Sequence, residues 1–302
     1  MQPHRDGSAD VSKPFIAQLA AADAARALAE DVGSGDLTAS LIAPATRATA
    51  RVLARESAVI CGAAWAEAAL HQVDPAAELV WHVKDGERCA ENQVILTIRG
   101  SARGLLTAER TALNFLQLLS AVATKTALYV AAVSGCRAQI VDTRKTLPGL
   151  RLAQKYAVRT GGGTNHRIGL YDAVLIKENH IAAAGGVPQV LAQWDRVAAQ
   201  VGAQARFVEI EVENLAQLAQ ALAAGARMVL LDNMDLPTLR EAVRINAGLA
   251  VLEISGGVTL AGLRALAETG VDRISIGGLT KDIQATDFSM RLQIDSDQNP
   301  KG

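Results

Sequence analysis

Two hydrophobic rhythms divide this chain. From residue 138 onward, short apolar runs recur with little internal polarity: QIVDT (139–143), AVLIK (173–177), FVEIEV (207–212), MVLLD (228–232), AVLEIS (250–255) and RISIG (273–277). Near-continuous apolar runs of this length predict parallel strands covered on both faces. Between them, LPGLRLAQKYAVRT, VPQVLAQWDRVAAQ, NLAQLAQALAA, LPTLREAVRI and TLAGLRALAET repeat apolar residues at helical spacing. Gly225, Gly248 and Gly270 follow three of these segments, where a helix stop belongs. The alternation predicts an α/β architecture. The last four strands begin at 207, 228, 250 and 273, a spacing suited to minimal βα units of a TIM-like barrel. A doubly wound open sheet is the rival arrangement.

Before residue 116 the rhythm is mixed. FIAQLAAADAARALAE (15–30) reads as an amphipathic helix, and ATARVLARESAVICG (48–62) as a strand. ELVWHVKDGERCAENQVILTI (78–98) reads as strand, Asp-Gly turn, strand. TAERTALNFLQLLSAVATKTALYVAAV (107–133) has no Gly or Pro and predicts one long helix or two abutting ones. TDFSMRLQI (286–294) alternates as an edge strand does. These readings give a loose tail over 1–13, a first α/β domain over 14–116 joined by 284–296, and a barrel domain over 117–283.

Composition narrows the function classes. Half of the residues are apolar and the formal charge is -1, so no global field draws the chain to nucleic acid or an anionic membrane. Cys61, Cys89 and Cys136 show no metal or disulfide spacing, which fits a reducing, cytoplasmic setting. The N-terminal helix is broken by Asp23, Arg26 and Glu30. Neither a signal peptide nor a membrane span is expected. His4, His71 and His82 lack metal-ligand spacing.

In such barrels chemistry sits where strands end. Here the ends read Asp142-Thr143-Arg144-Lys145, Lys177-Glu178-Asn179-His180, Glu209 and Glu211, Asp232-Asn233, Ser255-Gly256-Gly257, and Gly277-Gly278 after Ile276. Arg151, Lys155 and Arg159, on the helix between, are expected to form a solvated face. Arg144, Lys145 and Lys177 directly follow buried strands and are expected to meet an anion. The GGGTNHR loop (161–167) adds His166 and Arg167, and an arginine can grip a carboxylate with two parallel hydrogen bonds. The two Gly-Gly ends suit phosphate on backbone N–H groups. Glu211 and Asp232 suit sugar hydroxyls or a hydrated Mg²⁺ carrying a diphosphate. Glu209 shares the face of Glu211 by period two, and the pattern leaves that choice open. The sum is a polyanion pocket with separate carboxylate and phosphate subsites. A barrel aldolase with Lys177 as Schiff base and a non-enzymatic ligand-binding barrel are the rival readings.

VDTRKTLPGLRLAQKYAVRTGGGTNHRIGLYDAVLIKENHI (141–181) closely resembles the central signature of quinolinate phosphoribosyltransferases. EDVGSGDLTA (30–39), ERTALNFLQ (109–117), VEIEVENL (208–215), LLDNM (230–234), LEISGGV (252–258) and GVDRISIGGLT (270–280) follow the same family in order. The resemblance implies an N-terminal α/β sandwich with an incomplete α/β barrel, in a homodimer with shared sites. It implies transfer of phosphoribosyl from phosphoribosyl pyrophosphate to quinolinate with loss of CO₂, using Mg²⁺. The alternative is a related transferase acting on another carboxylated ring without decarboxylation.

By the same resemblance Arg144, His166, Arg167 and Lys177 hold quinolinate, with Arg110 supplied by the partner subunit. Lys145 serves both substrates, and Glu211 and Asp232 face the ribose and the Mg²⁺-bound diphosphate. Thr143, Lys177, Ser255, Gly256, Gly257, Ile276, Gly277 and Gly278 complete the phosphoribosyl pyrophosphate side. Thr164, Ile254, Gly278 and Lys281 depart from the residues common in the family.

Overall fold

The computed structural model describes residues 13–201 and 205–295, so all but the last residue of the expected tail lies outside the described residues. The elements, in chain order, are α1 (Lys13–Val32), β1 (Arg47–Ala54), β2 (Ala58–Val59), α2 (Ala63–Val73), β3 (Glu78–Trp81), β4 (Arg88–Cys89), β5 (Val94–Ser101) and α3 (Ala102–Ala132). Then come β6 (Gln139–Val141), α4 (Arg151–Thr160), β7 (Val174–Ile176), α5 (Glu178–Ala184), α6 (Val187–Val201), β8 (Val208–Val212), α7 (Leu215–Ala223) and β9 (Met228–Asp232). The chain continues through α8 (Leu236–Asn246), β10 (Val251–Ser255), α9 (Leu260–Ala267), β11 (Arg273–Ser275), α10 (Gly278–Lys281) and β12 (Phe288–Ile294). Two compact units result. One holds the described residues up to Lys125, Pro148–Gly162 and those from Asp282; the other holds Thr126–Leu147 and Gly163–Lys281.

The first unit is built on an antiparallel sheet in the order β12-β1-β5-β3, with β12 at the edge. Strand β1 alternates as its sequence requires. Ala48, Ala50, Val52 and Ala54 are buried, while Arg51 is exposed opposite Arg291. Helices α1 and α2 pack on each other, and Trp65 of α2, fully buried, donates its indole N–H to Asp23 of α1 at 2.8 Å. Helix α3 is one continuous helix, so the boundary expected at 116/117 falls inside it. Its length and apolar content would suffice to cross a membrane, and half of that apolar window is buried inside the protein.

Two local expectations need correction. The 78–98 segment is not a simple hairpin. β3 pairs with β5, and β4 pairs instead with β2. The Asp-Gly turn is present, but Asp85 is diverted to the start of α2, where its carboxylate accepts the N–H groups of Gly62 and Ala63, each at 3.1 Å. Orphan amides at a helix start outweigh the local hairpin preference. Nor is α4 a solvated cationic face. Lys155 is fully buried and Arg151 and Arg159 are half-buried. The helix belongs to the first unit, where Tyr156 packs against Trp65 and donates to Asp85 at 2.9 Å.

The second unit holds six parallel strands in the order β6-β11-β10-β9-β8-β7. That order is cyclic in sequence, with a seam where β6 and β7 are not paired. At this seam Thr164 bridges alongside β6: its N–H donates to Ile140 at 2.8 Å, and its carbonyl accepts from Asp142 at 3.1 Å. The α/β class expected from the sequence, an incomplete TIM-like barrel with an N-terminal α/β sandwich, is therefore observed, and the doubly wound rival is excluded by the strand order. Helices α7, α8 and α9 start at Asn214, Asp235 and Thr259, each capping the helix with its side chain. Helix α5, between Lys177 and Gly185, had no counterpart in the sequence reading.

Candidate active site

Six strand ends of the second unit open on one cavity of about 610 Å³, partly open to solvent. Its lining comprises Thr143, Arg144, Lys145, His166, Arg167 and Lys177 on the cationic side, with Glu211, Glu253, Ser255 and Ser275 across it. Leu175 and Leu230 supply an apolar part. Two guanidinium groups, an imidazole and two ammonium groups thus converge as the sequence suggested.

Each group reaches this place for a local reason. After β6 the chain turns sharply, and Thr143 Oγ1 accepts the Lys145 N–H at 3.0 Å. Gly277 lies beneath the Lys145 side chain; a Cβ there would stand 3.0 Å from its Cδ. Thr280 Oγ1 donates to the Lys145 carbonyl at 2.8 Å. The loop bearing His166 and Arg167 is tied to β6 by Asp142, a fully buried carboxylate that accepts Asn165 Nδ2 at 2.7 Å and the His166 N–H at 2.8 Å. Further along, Asp172 accepts the N–H groups of Ile168 and Gly169 and pairs with Arg206 at 2.7 Å. Although burial works in the other direction, those partners hold the Asp172 carboxyl below its ordinary range.

Burial, and then the neighbouring Arg144, lower the affinity of the Arg167 guanidinium for its proton. Two such cations held close together in a half-buried wall form a site suited to an anion. Across the cavity Lys177 Nζ lies 3.7 Å from Glu211 Oε2. Burial raises the Glu211 carboxyl; Lys177 opposes that rise and Asp232 adds to it. The pattern's ambiguity between Glu209 and Glu211 is resolved by depth. Glu211 lines the cavity, whereas Glu209 is fully buried.

In the cavity wall His166 and Glu253 belong to an array the sequence reading did not foresee. His166 Nε2 sits 2.8 Å from Glu209 Oε2 and 3.4 Å from Glu253 Oε1, and Glu253 Oε2 accepts Arg273 Nε at 2.7 Å. His166 Nδ1 accepts the backbone N–H of Arg167 at 2.8 Å. Both ring nitrogens are thereby engaged by the protein. Burial disfavours the imidazolium, while Glu253 and Glu209 favour it more strongly and raise the ring's pKa. The amide pointing at Nδ1 nonetheless leaves no seat for a second ring proton. Burial, followed by Glu253, pushes the Glu209 carboxyl up to about 7, while His166 and Arg273 oppose that rise.

Of the remaining expected residues, Asp232 ends β9 close enough to Glu211 to influence it. Gly256 and Gly257 follow β10 with φ of 97° and 57°, and a Cβ on Gly256 would collide with Asn233. Ile276 is buried and Gly278 opens α10. Arg110 is exposed on α3 and does not line this cavity. Glu253 and Ser275 were missed, although each lies two residues before a chosen strand end, at the spacing that returns to the same face. Nothing local marked Asp142 and Glu209 as partners of the loop.

Two family models account for nearly the whole chain. Quinolinate phosphoribosyl transferase, N-terminal domain, matches residues 36–120, and the C-terminal domain of the same family matches residues 122–291. The chain belongs to the quinolinate phosphoribosyltransferase family. It is 43% identical over 274 residues to the nicotinate-nucleotide pyrophosphorylase [carboxylating] of Mycobacterium leprae, covering 88% of this chain and 95% of that protein. To the probable enzyme of that name in Bacillus subtilis it is 38% identical over 268 residues, covering 89% and 91%. Among solved structures, the nicotinate-nucleotide pyrophosphorylase of Francisella tularensis superposes with a TM-score of 0.87 at 42% identity, covering 92% of this chain and 97% of that one. Membership of the quinolinate phosphoribosyltransferase family sets the aldolase reading aside. The ion pair between Lys177 and Glu211 agrees, since a Schiff-base lysine must give up its proton.

Proposed function

We propose that this chain transfers the phosphoribosyl group of phosphoribosyl pyrophosphate to quinolinate, releasing pyrophosphate and CO₂ and leaving nicotinate mononucleotide. The observation that carries the reading is the wall of Arg144, Arg167 and Lys177 facing Glu211 within one cavity. A planar diacid fits the guanidinium side, and a ribose diphosphate fits the side with Glu211, Ser255 and the glycine ends.

In this reading the pyridine nitrogen attacks the anomeric carbon while the C–O bond to pyrophosphate breaks and its electron pair leaves with the diphosphate. Holding both substrates in line supplies roughly 7–11 kcal/mol of the barrier. Lys145, exposed at the turn after β6, faces the developing charge, and Glu211 and Asp232 orient the sugar. The ring nitrogen, now quaternary, stabilises by its positive charge the electron pair that stays on C2 when CO₂ departs, and a proton then adds to C2. Arg144 and Arg167 keep the other carboxylate clamped.

Mg²⁺ belongs to the same reading, and the donors suit it. Two carboxylates near a diphosphate match an ion that keeps most ligands as water and phosphate. Glu211 and Asp232 would hold it, and it would neutralise the leaving diphosphate. His166, Glu209 and Glu253 also lie within reach of one another, but they are already engaged with the Arg167 amide and Arg273 and make a poor metal site.

The homodimer with Arg110 reaching the partner's site, and a cytoplasmic location in keeping with three free cysteines, complete the proposal. Incubation of the purified protein with quinolinate, phosphoribosyl pyrophosphate and Mg²⁺ should yield nicotinate mononucleotide with one CO₂ per turnover. Product from another carboxylated ring, without CO₂, would replace this reading with that of a non-decarboxylating relative. Arg110→Ala and Lys145→Ala, each inactive alone, should regain part of the activity as mixed dimers; heterodimers without activity would refute the shared site.

A further inference from the structure

The turn that brings His166 and Arg167 to the cavity wall, residues 166–172, belongs to no helix or strand, and Leu170 and Tyr171 at its tip are exposed. Something else must hold it. Arg167 supplies little of the constraint itself: its guanidinium makes one long hydrogen bond, to the Ala173 carbonyl at 3.4 Å. Where that guanidinium reaches therefore depends on how the backbone is fixed. Asp142 fixes the entry to the turn through the His166 N–H. The exit is fixed by Asp172, a buried residue whose two oxygens accept the N–H groups of Gly169 at 2.7 Å and Ile168 at 2.8 Å.

We infer that Arg206 is a positioning residue for quinolinate capture: it clamps both ends of this turn, through Asp172 and the His166 carbonyl, and so sets the direction in which Arg167 meets the diacid. The inference rests on the quinolinate reading above. Arg206 precedes β8, and its backbone N–H donates to the Asp172 carbonyl at 2.7 Å. Its Nη2 lies 2.7 Å from Asp172 Oδ2 and donates to the His166 carbonyl at 3.5 Å. The guanidinium stands 5.9 Å from the centroid of the Phe207 ring, and that ring meets the His166 imidazole edge-on at 5.2 Å. One side chain thus spans the first and last residues of the turn.

The remaining donors of Arg206 point to the same role. Its Nε and Nη1 are buried with no hydrogen-bond partner among the described residues. Buried donors without partners oppose folding, so the guanidinium is oriented by its hold on the turn and not by its own hydrogen bonding. Asp172 is suited to be the other jaw. Burial opposes its ionisation, yet the Gly169 and Ile168 amides and then Arg206 hold its carboxyl below the ordinary range, so the acceptor of both amides stays charged at neutral pH.

The test is steady-state kinetics and hydrogen exchange of the full-length protein with Arg206→Met, Arg206→Lys and Asp172→Asn. Arg206→Met should raise the quinolinate KM roughly 10-fold or more, while the phosphoribosyl pyrophosphate KM moves less than about twofold. The amides of Ile168 and Gly169 should exchange roughly 10-fold faster or more in that variant. Arg206→Lys keeps a cation for Asp172 and should return the quinolinate KM to within about threefold of the unmodified protein. Asp172→Asn keeps an acceptor for the amides but weakens the ion pair; it should fall between the two, and it carries the test if Arg206→Met does not fold. A side chain that merely stabilised the fold would lower the active fraction, so that kcat falls at unchanged KM. That result, equal rises in both KM values, a lysine variant as impaired as the methionine one, or unchanged amide exchange would each overturn the proposal. Absence of nicotinate mononucleotide from the unmodified protein would instead overturn the functional reading itself, and the exchange of the two amides, which needs no substrate, would still decide whether Arg206 holds the turn.

Discussion

Buried carboxylates serve different ends in the two units of this chain. In the first unit two of them terminate backbone. Asp85 takes the two free amides at the start of α2, and Asp74 takes the N–H groups of Ser101 and Ala76 at 2.7 and 3.2 Å. In the second unit they hold side chains and the loop that presents them: Glu209 and Glu253 hold His166, Glu253 holds Arg273, and Asp142 holds Asn165 as well as the His166 amide. Burying a carboxylate costs free energy wherever it occurs. The first unit recovers that cost as helix and strand ends that no longer lack partners. The second recovers it as a fixed cationic wall, which matters only when a ligand arrives. Truncation in the first set should therefore act on stability alone, whereas the second set should act on turnover and, where a carboxyl titrates, on stability with pH.

The largest expected effect is on the wall itself. Arg144→Ala should lower kcat/KM for quinolinate on the order of 10²-fold or more, with a small change in melting temperature. Equal losses in stability and turnover would erase the contrast between units. Next comes pH. The folded-state pKa of Glu209, about 7, stands above its ordinary 4.5, so its protonated form favours the folded chain. That contribution is fully present below the ordinary value and is lost as pH rises through about 7. Urea unfolding at a series of pH values from about 5 to 8 should show the unmodified protein losing up to roughly 3 kcal/mol relative to Glu209→Gln. A flat difference would place the proton elsewhere.

Asp85→Ala tests the first unit. Loss of two cap bonds and of the Tyr156 partner should cost roughly 1–3 kcal/mol in unfolding free energy, while kcat/KM of the folded protein changes by less than about twofold. A large kinetic loss would mean that this carboxylate also serves the site. The smallest effect is expected at Gly277. Its Cβ would press on the flexible Lys145 chain at 3.0 Å and on Thr143 Oγ1 at 3.5 Å, so Gly277→Ala should lower kcat a few-fold, on the order of 1 kcal/mol in the barrier.

Much of this was legible in the sequence because it depends on periodicity and on strand ends. Strands from 228 to 232 and 251 to 255 lie almost where their apolar runs place them, and parallel pairing brings their ends to one side whatever the details. That is why Thr143, Arg144, Lys145, Lys177, Glu211 and Ser255 could be chosen before any coordinates. Departures arose where a side chain is spent far along the chain from its origin. Asp85 leaves its turn for an amide 22 residues away, and His166 meets Glu209 43 residues on. Lys155 sits on a helix whose pattern suggested a solvated cation row, yet it is fully buried.

The sequence by itself determined the elements, the parallel sheet and the list of groups at its open end, because local sterics, burial periodicity and the direction of a βα unit operate over a few residues. Tertiary structure alone decided which of two like carboxylates lines the cavity and which is sealed, and it joined the histidine of the cavity wall to two buried glutamates. Depth along a strand and the hydrogen-bond partner of a ring nitrogen depend on residues distant in the chain, and only folding brings those within 3 Å.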